Sequence, residues 1–100
     1  MSFSNIQSVT KTADASAVLG RCRVLGVYFT NTATASSFSL RDGTTVAGDI
    51  KLTLNTPAAA GNGDFIIPDM GILFETGVYI DVASVNVSSV TVLFEGGALA

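Results

Sequence analysis

Hydrophobic and polar residues alternate with a period of two along most of this chain. In a β-strand, successive side chains point to opposite faces of the sheet, so this alternation places one set of residues on a core. β-branched and aromatic residues fill the alternating segments, as is usual in strands. The positions predicted to face inward are Leu25, Val27, Phe29, Phe38, Leu40, Ile50, Leu52, Leu54, Val78, Ile80, Val82, Val90, Val92 and Phe94.

Turn-forming residues separate these segments. Asp42-Gly43 and Asn62-Gly63 predict turns, because glycine accepts a positive φ and Asp or Asn tolerates one. Pro57 and Pro68 lack an amide donor and therefore predict the ends or edges of strands. The segments recur about every ten residues, which is typical of sandwiches and jelly rolls. We therefore predict an all-β fold: an antiparallel β-sandwich, jelly-roll-like, with seven to eight short strands.

Helix and additional domains have little support in the sequence. Residues 13–19 would suit one helical turn, although strand or loop is equally compatible, and residues 58–60 lie between Pro57 and Gly61, which favours a loop. A chain of 100 residues fits one domain. We predict a single β-sandwich domain over residues 1–100. Within it, residues 1–17 are a candidate N-terminal arm.

The composition indicates a surface that is partly covered by other molecules. Hydrophobic residues make up 48% of the chain without counting its 10 glycines, whereas about 45–50% is usual with glycine included. Charged residues make up only 13%, against about 25% in ordinary domains. A small monomer normally stays soluble through surface charge. We therefore expect part of this chain's surface to be buried against copies of the chain or against a larger partner. A monomer with a Ser/Thr-rich surface is the alternative.

Charge and hydropathy also exclude two classes of partner. The net charge is −3 and the five basic residues are scattered, which argues against nucleic-acid binding because phosphate contacts require clustered cations. No apolar run approaches the roughly 18 residues of a membrane-spanning helix, and the opening residues lack the pattern of a secretory signal. We expect neither nucleic acid nor membrane as a partner.

The residues that carry chemistry are sparse. The chain has no His, which removes the usual general base, the usual zinc ligand and any His-dependent triad. Cys22 stands between two arginines, but in a strand its side chain points away from theirs and is expected to pack in the core. Residues 61–64 with Asp69 could hold Ca²⁺, although their spacing matches no known loop. We predict no enzyme activity and no catalytic, cofactor-binding or metal-binding residues.

Interface candidates remain. Arg21 and Arg23 share one strand face and would suit bidentate pairing with carboxylates across an interface, or simply solubility at a sheet edge. Tyr28 and Tyr79 occupy outward positions, where they would suit stacking, although the absence of Trp gives little support to a sugar-binding surface. The full set of interface candidates is Met1, Phe3, Ile6, Arg21, Arg23, Tyr28, Arg41, Tyr79 and Leu99.

Four segments of the chain resemble short virion proteins of tailed bacteriophages, in particular those of marine and cyanobacterial phages. They are GRCRVLGVYF (residues 20–29), SLRDG (39–43), LTLNTP (52–57) and GILF (71–74). The likeness extends over residues 18–96, whereas residues 1–17 have no counterpart in it. The resemblance implies a head decoration (cement) protein: a β-sandwich that sits on the capsid as a dimer or trimer and braces the shell. It brings no catalytic residues to this chain.

The sequence therefore leads to one main hypothesis and two alternatives. The main hypothesis is a capsid decoration protein of a phage particle that self-associates, with the major capsid protein or another virion protein as its partner. The first alternative is a tail, fibre or head–tail adaptor subunit. The second is a carbohydrate- or calcium-binding β-sandwich module.

Overall fold

Eight antiparallel β-strands account for the regular secondary structure of the part of the chain that the structure describes. The structure is a computed structural model that describes residues 5–82 and 84–100, and no helix occurs within those ranges. The prediction of an all-β antiparallel sandwich with seven to eight strands is confirmed. The strands are β1 (Gln7–Lys11), β2 (Ala15–Asn31), β3 (Ser36–Asp42), β4 (Asp49–Thr56), β5 (Gly61–Ile66), β6 (Ile72–Phe74), β7 (Gly77–Val82) and β8 (Val87–Leu99).

The long strand β2 organises the sheet. The hydrogen-bonded order is β1-β8-β2-β7-β3-β4, and β5 and β6 also pair with β2. One edge of β2 pairs with β8 over most of its length, while the other edge pairs in turn with β7, β6 and β5. A straight strand of 17 residues would span roughly 55 Å, yet the longest dimension of the molecule is 42 Å. β2 must therefore bend.

The bend brings two halves of the sheet face to face. β1, β8, β5 and the C-terminal part of β2 form one half, and the N-terminal part of β2 forms the other with β7, β3 and β4. The rings of Phe29 in β2 and Phe38 in β3 pack edge to face with centroids 5.5 Å apart, although these strands are not neighbours in the sheet order. Such edge-to-face contacts add to the stability gained from area burial. The described residues share one hydrophobic core between the two halves.

Register shifts in β2 produce the bend. They lie between Ser16 and Val18 against β7, and between Leu19 and Cys22 and again between Val24 and Gly26 against β8. Each inserts an extra residue into β2, and a bulge of this kind bends the strand and changes which face the following side chains occupy.

The register shift around Leu25 corrects one of the predictions. Val24 is fully buried, while Leu25 is only partly buried and lines the outer surface. The prediction that Leu25 faces the core is therefore wrong, because the bulge offsets the alternation. Val27 and Phe29, beyond the bulge, are buried as predicted.

Two further predictions fail for related reasons. Ile50 is 52% exposed, because the register between β3 and β4 shifts after Leu40 and moves Ile50 out of phase with Leu52. Asn62-Gly63 does not form a turn but lies inside β5, where the two residues pair with Thr30 and Phe29 of β2. The pairing with β2 therefore overrides a local turn preference. The remaining inward positions are buried or pack against the core.

The N-terminal region takes part in the sheet as far as it is described. β1 pairs with β8 over its whole length, and residues 15–17 form the start of β2. The candidate N-terminal arm, residues 1–17, thus contains strand residues at 7–11 and 15–17. The candidates Met1 and Phe3 lie outside the described residues.

Asp42 ties the end of β3 to the turn between β6 and β7. Its carboxylate accepts hydrogen bonds from the backbone N–H groups of Glu75 (3.1 Å) and Thr76 (2.9 Å). Desolvation raises the pKa of Asp42, but these amide donors, with Gly77 and the charge of Lys51, outweigh it and lower the pKa below its usual value. The Asp42-Gly43 pair thus marks the end of β3 and also anchors a second loop.

Phe29→Ala should lower the free energy of unfolding by about 3–5 kcal/mol, because it deletes a buried aromatic ring and leaves a cavity beside Phe38. Chemical denaturation of the variant measures this loss. Tyr28→Ala, which truncates the neighbouring but exposed aromatic ring, is the matched control and should cost about 1 kcal/mol or less. Equal losses in the two variants would contradict the assignment of faces.

Asp42→Ala should lower the free energy of unfolding by about 1–2 kcal/mol at pH 7, since two charge-assisted hydrogen bonds at a partly exposed site are lost. Because folding lowers the pKa of Asp42, its contribution is present above the unfolded-state pKa of about 3.9 and disappears as pH falls through the folded-state pKa. The difference from wild type should therefore shrink below about pH 4. Asp64→Ala, which removes an exposed carboxylate, is the matched control and should cost about 0.5 kcal/mol or less at pH 7.

Candidate interface on the outer face of the sandwich

An exposed group of hydrophobic residues lies on the outer face of the half formed by β8, β2 and β5. Gly26 in β2 pairs with Leu93 on one side and with Ile66 on the other. A Cβ atom on Gly26 would lie 3.2 Å from the Cδ1 atoms of both neighbours. Glycine at this position therefore lets Leu93 and Ile66 come together over β2.

The bulge in β2 adds a loop to this surface. The carbonyl oxygen of Leu25 accepts a hydrogen bond from the amide of Ile67, at 2.9 Å. Gly71 packs against the carbonyl oxygen of Val24 so closely that a Cβ atom would collide with it, and its φ of 74° also favours glycine. Residues 67–71 are thus held against the bulge, which places Ile67 and Met70 beside Leu25.

Together these residues line an open depression of about 440 Å³. Ile66 is 63% exposed and Met70 is 68% exposed. Single exposed hydrophobic residues are ordinary, whereas a contiguous group of them is typical of an interaction surface. We define the outer apolar patch as Ile6, Leu25, Ile66, Ile67, Met70 and Leu93.

Charged residues of both signs border the outer apolar patch. Arg23 and Glu95 are directly opposite each other on β2 and β8, and Asp69 lies in the loop after β5. Arg21 joins Arg23 and Glu95 around a neighbouring depression of about 270 Å³. The ion pair found between described residues is Arg41–Asp81, so none of these four charges forms an ion pair with another described side chain.

The rest of the same face is polar but nearly uncharged. The hydroxyl groups of Thr10 and Thr91 hydrogen-bond at 2.7 Å, and those of Thr30 and Ser89 at 2.6 Å. On the other half of the sandwich, Ser39 and Thr53 form a similar pair at 2.9 Å. Such cross-strand hydroxyl pairs stabilise a sheet. They give the strands a polar exterior without using charged side chains.

Cys22 is buried beneath the second depression, as expected from the sequence. Burial raises the pKa of the Cys22 thiol, and the negative charge of Asp42 raises it further. The thiolate form is therefore disfavoured despite the flanking arginines. This argues against a nucleophilic role.

The structure distributes the candidate interface residues among different environments. Ile6, Arg21 and Arg23 lie in or beside the outer apolar patch. Tyr28 is exposed on the polar part of the same face, beside Thr91.

The other described candidates lie away from the outer apolar patch. Arg41 bonds to the carboxylate of Asp81 at 2.9 Å and to the carbonyl of Gly48 at 3.0 Å, which commits it to contacts within the chain. Tyr79 is half-buried in β7, and Leu99 is exposed at the end of β8.

Five residues of the outer apolar patch were not among the sequence-based candidates. One signal was available, because Leu93 occupies an outward position in the alternation of β8. The others depend on the bulge at Leu25 and the loop that docks on it. The residues not anticipated are Leu25, Ile66, Ile67, Met70 and Leu93.

Residues 61–64, proposed with Asp69 as a calcium site, lie in β5, and Asp69 lies in the loop that follows it. Within residues 5–82 and 84–100, no group of three or more Cys, Asp or Glu side chains is arranged to hold a metal ion. A search of the same residues for a helix long and apolar enough to span a membrane also found none.

Comparisons with known proteins give one distant likeness. No protein-family model matches this chain, and no curated protein sequence matches it. Among solved structures, the Tobacco streak virus coat protein aligns with 13% identity and a TM-score of 0.43, covering 98% of this chain and 90% of that one. A match this distant assigns no function to the chain.

The Cys22 thiol should react with iodoacetamide at pH 8 much more slowly in the native protein than in the denatured protein. Burial limits access of the reagent, and the raised pKa reduces the thiolate fraction. The rate is measured by mass spectrometry in the absence and presence of denaturant. A native rate as fast as the denatured rate would contradict the inert, buried thiol.

Proposed function

We propose that this chain is a non-enzymatic structural protein of a virion, and more specifically a head decoration protein that self-associates and stabilises the capsid of a tailed phage. The observation that carries the proposal is the outer apolar patch. Burying a large aliphatic side chain contributes roughly 1.5–3 kcal/mol, and Ile66 and Met70 leave most of that contribution unused in the isolated chain. A partner that covers them supplies it.

The patch is built on a rigid support, which suits a structural role. Its residues lie on β2, β5 and β8, on a loop hydrogen-bonded to β2, or, for Ile6, immediately before β1. A surface held in place by a sandwich loses little conformational entropy when it binds. The charge-poor, hydroxyl-paired strand faces are a further feature that fits contact with other subunits.

The sequence resemblance to phage virion proteins falls on residues with identifiable structural roles. Residues 20–29 form the bent middle of β2, and residues 71–74 include the glycine that packs against the bulge. Residues 39–43 contain both Arg41 and Asp42, which anchor two loops. The resemblance therefore involves positions that shape the fold, and this supports the proposal of a related role.

Localisation of the protein in intact particles tests the proposed function. Electron microscopy of virions, with and without the protein, should show its density at repeated positions on the outside of the head. Heads that lack it should lose their DNA at a lower temperature, and adding back the purified protein should restore their stability. Density confined to the tail or the head–tail junction would favour the adaptor or fibre alternative. Absence from purified particles would overturn the proposal.

A carbohydrate- or calcium-binding module is distinguished by a separate measurement. Titration calorimetry with Ca²⁺ and a glycan array should both give no binding if the chain acts only through protein contacts. Saturable binding in either experiment would count against the decoration role. Tyr28→Ala would then show whether the exposed aromatic ring on the polar part of the face takes part.

A further inference from the structure

We infer that the outer apolar patch is the contact between two copies of this chain, which pack face to face about a two-fold axis. The inference rests on the self-association contained in the proposed function and specifies the surface and the symmetry. Closed symmetric dimers are the commonest oligomers, and a two-fold interface requires a surface that is complementary to itself. The residues around the patch meet that requirement.

Charges of both signs line the outer apolar patch and the depression beside it. Arg21 and Arg23 provide two cations, and Glu95 and Asp69 provide two anions, with no ion pair to another described residue. A nucleic acid or an anionic membrane would require an excess of cations. A surface that carries both signs instead suits a second copy that presents the same set.

The positions of Arg23 and Glu95 define how the copies meet. They are directly opposite each other on adjacent strands. A two-fold axis that lies in the interface and passes between them places each Arg23 against the Glu95 of the other copy. Arg–carboxylate pairs of this kind are strong and directional, particularly where apolar contacts exclude water. The outer apolar patch would thus form the dry centre, with the charges setting the register.

The size of the face is sufficient for a stable dimer. The molecule measures 42 × 33 × 19 Å, so its broad face has room for the roughly 800 Å² per partner that a standard interface buries. The exposed side chains of Ile66 and Met70 belong to the outer apolar patch, which this contact would cover. Apolar residues that an interface desolvates fully are the ones that usually dominate binding energy.

Substitution of the exposed patch residues tests the surface. Ile66→Asp and Met70→Asp should each weaken dimerisation by at least about 30-fold, measured by sedimentation equilibrium on the full chain. Val46→Asp and Ile50→Asp are matched controls, because these residues are 55% and 52% exposed but lie in the β3–β4 loop and in β4. The controls should leave the dimer unchanged, and thermal melting confirms that each variant is folded.

A charge exchange tests the symmetry without depending on the apolar substitutions. Arg23→Glu alone and Glu95→Arg alone should each be largely monomeric, because like charges meet across the axis. Mixing the two variants should restore a dimer containing one copy of each, since both contacts then join opposite charges. A purely structural defect would not be repaired by mixing.

The outcomes separate this inference from the proposed function. A wild-type chain that stays monomeric at millimolar concentration, patch variants that dimerise normally, or controls that fail equally would each overturn the inference. Failure of the mixed variants to associate would overturn the two-fold pairing. None of these results changes where electron microscopy finds the protein in the particle. Capsid binding by a monomer whose Ile66→Asp variant no longer binds would instead assign the patch to the shell.

Discussion

The pairing of β2 with β8, interrupted by bulges, is the constraint on which the rest of the structure depends. β2 contributes to both halves of the sandwich, so its bend determines how the halves face each other. A strand of this length cannot remain straight within a molecule whose longest dimension is 42 Å. The extra residues absorb the bend while β8 continues to satisfy most of the backbone hydrogen bonds along one edge.

The same bulges create the surface to which we assign the function. The register shift around Leu25 turns its side chain outward and leaves its carbonyl group to bond with Ile67. The loop that carries Met70 is consequently held against β2, and the small size of Gly26 lets Ile66 and Leu93 meet above the strand. The core and the outer apolar patch are therefore two consequences of one backbone feature. A change that straightened β2 would alter both.

The chemistry of the chain agrees with a role in assembly. Its lone thiol is buried with a raised pKa, and its paired hydroxyl groups and main anchoring carboxylate serve backbone and cross-strand contacts. Four of the charges that form no ion pair with another described residue, Arg21, Arg23, Asp69 and Glu95, line the two depressions on this face.

The sequence by itself determined the all-β class, the number of strands and most of the core, because alternation of period two is a local property that each strand carries alone. It also indicated Arg21 and Arg23, since their shared face follows from their spacing. Only the tertiary structure decided the faces of Leu25 and Ile50, the strand conformation of Asn62-Gly63 and the outer apolar patch. The physical reason is that bulges and register arise from pairing between distant strands, where one inserted residue reverses the alternation. The sequence of β2 or of β5 alone does not show which strand pairs with it.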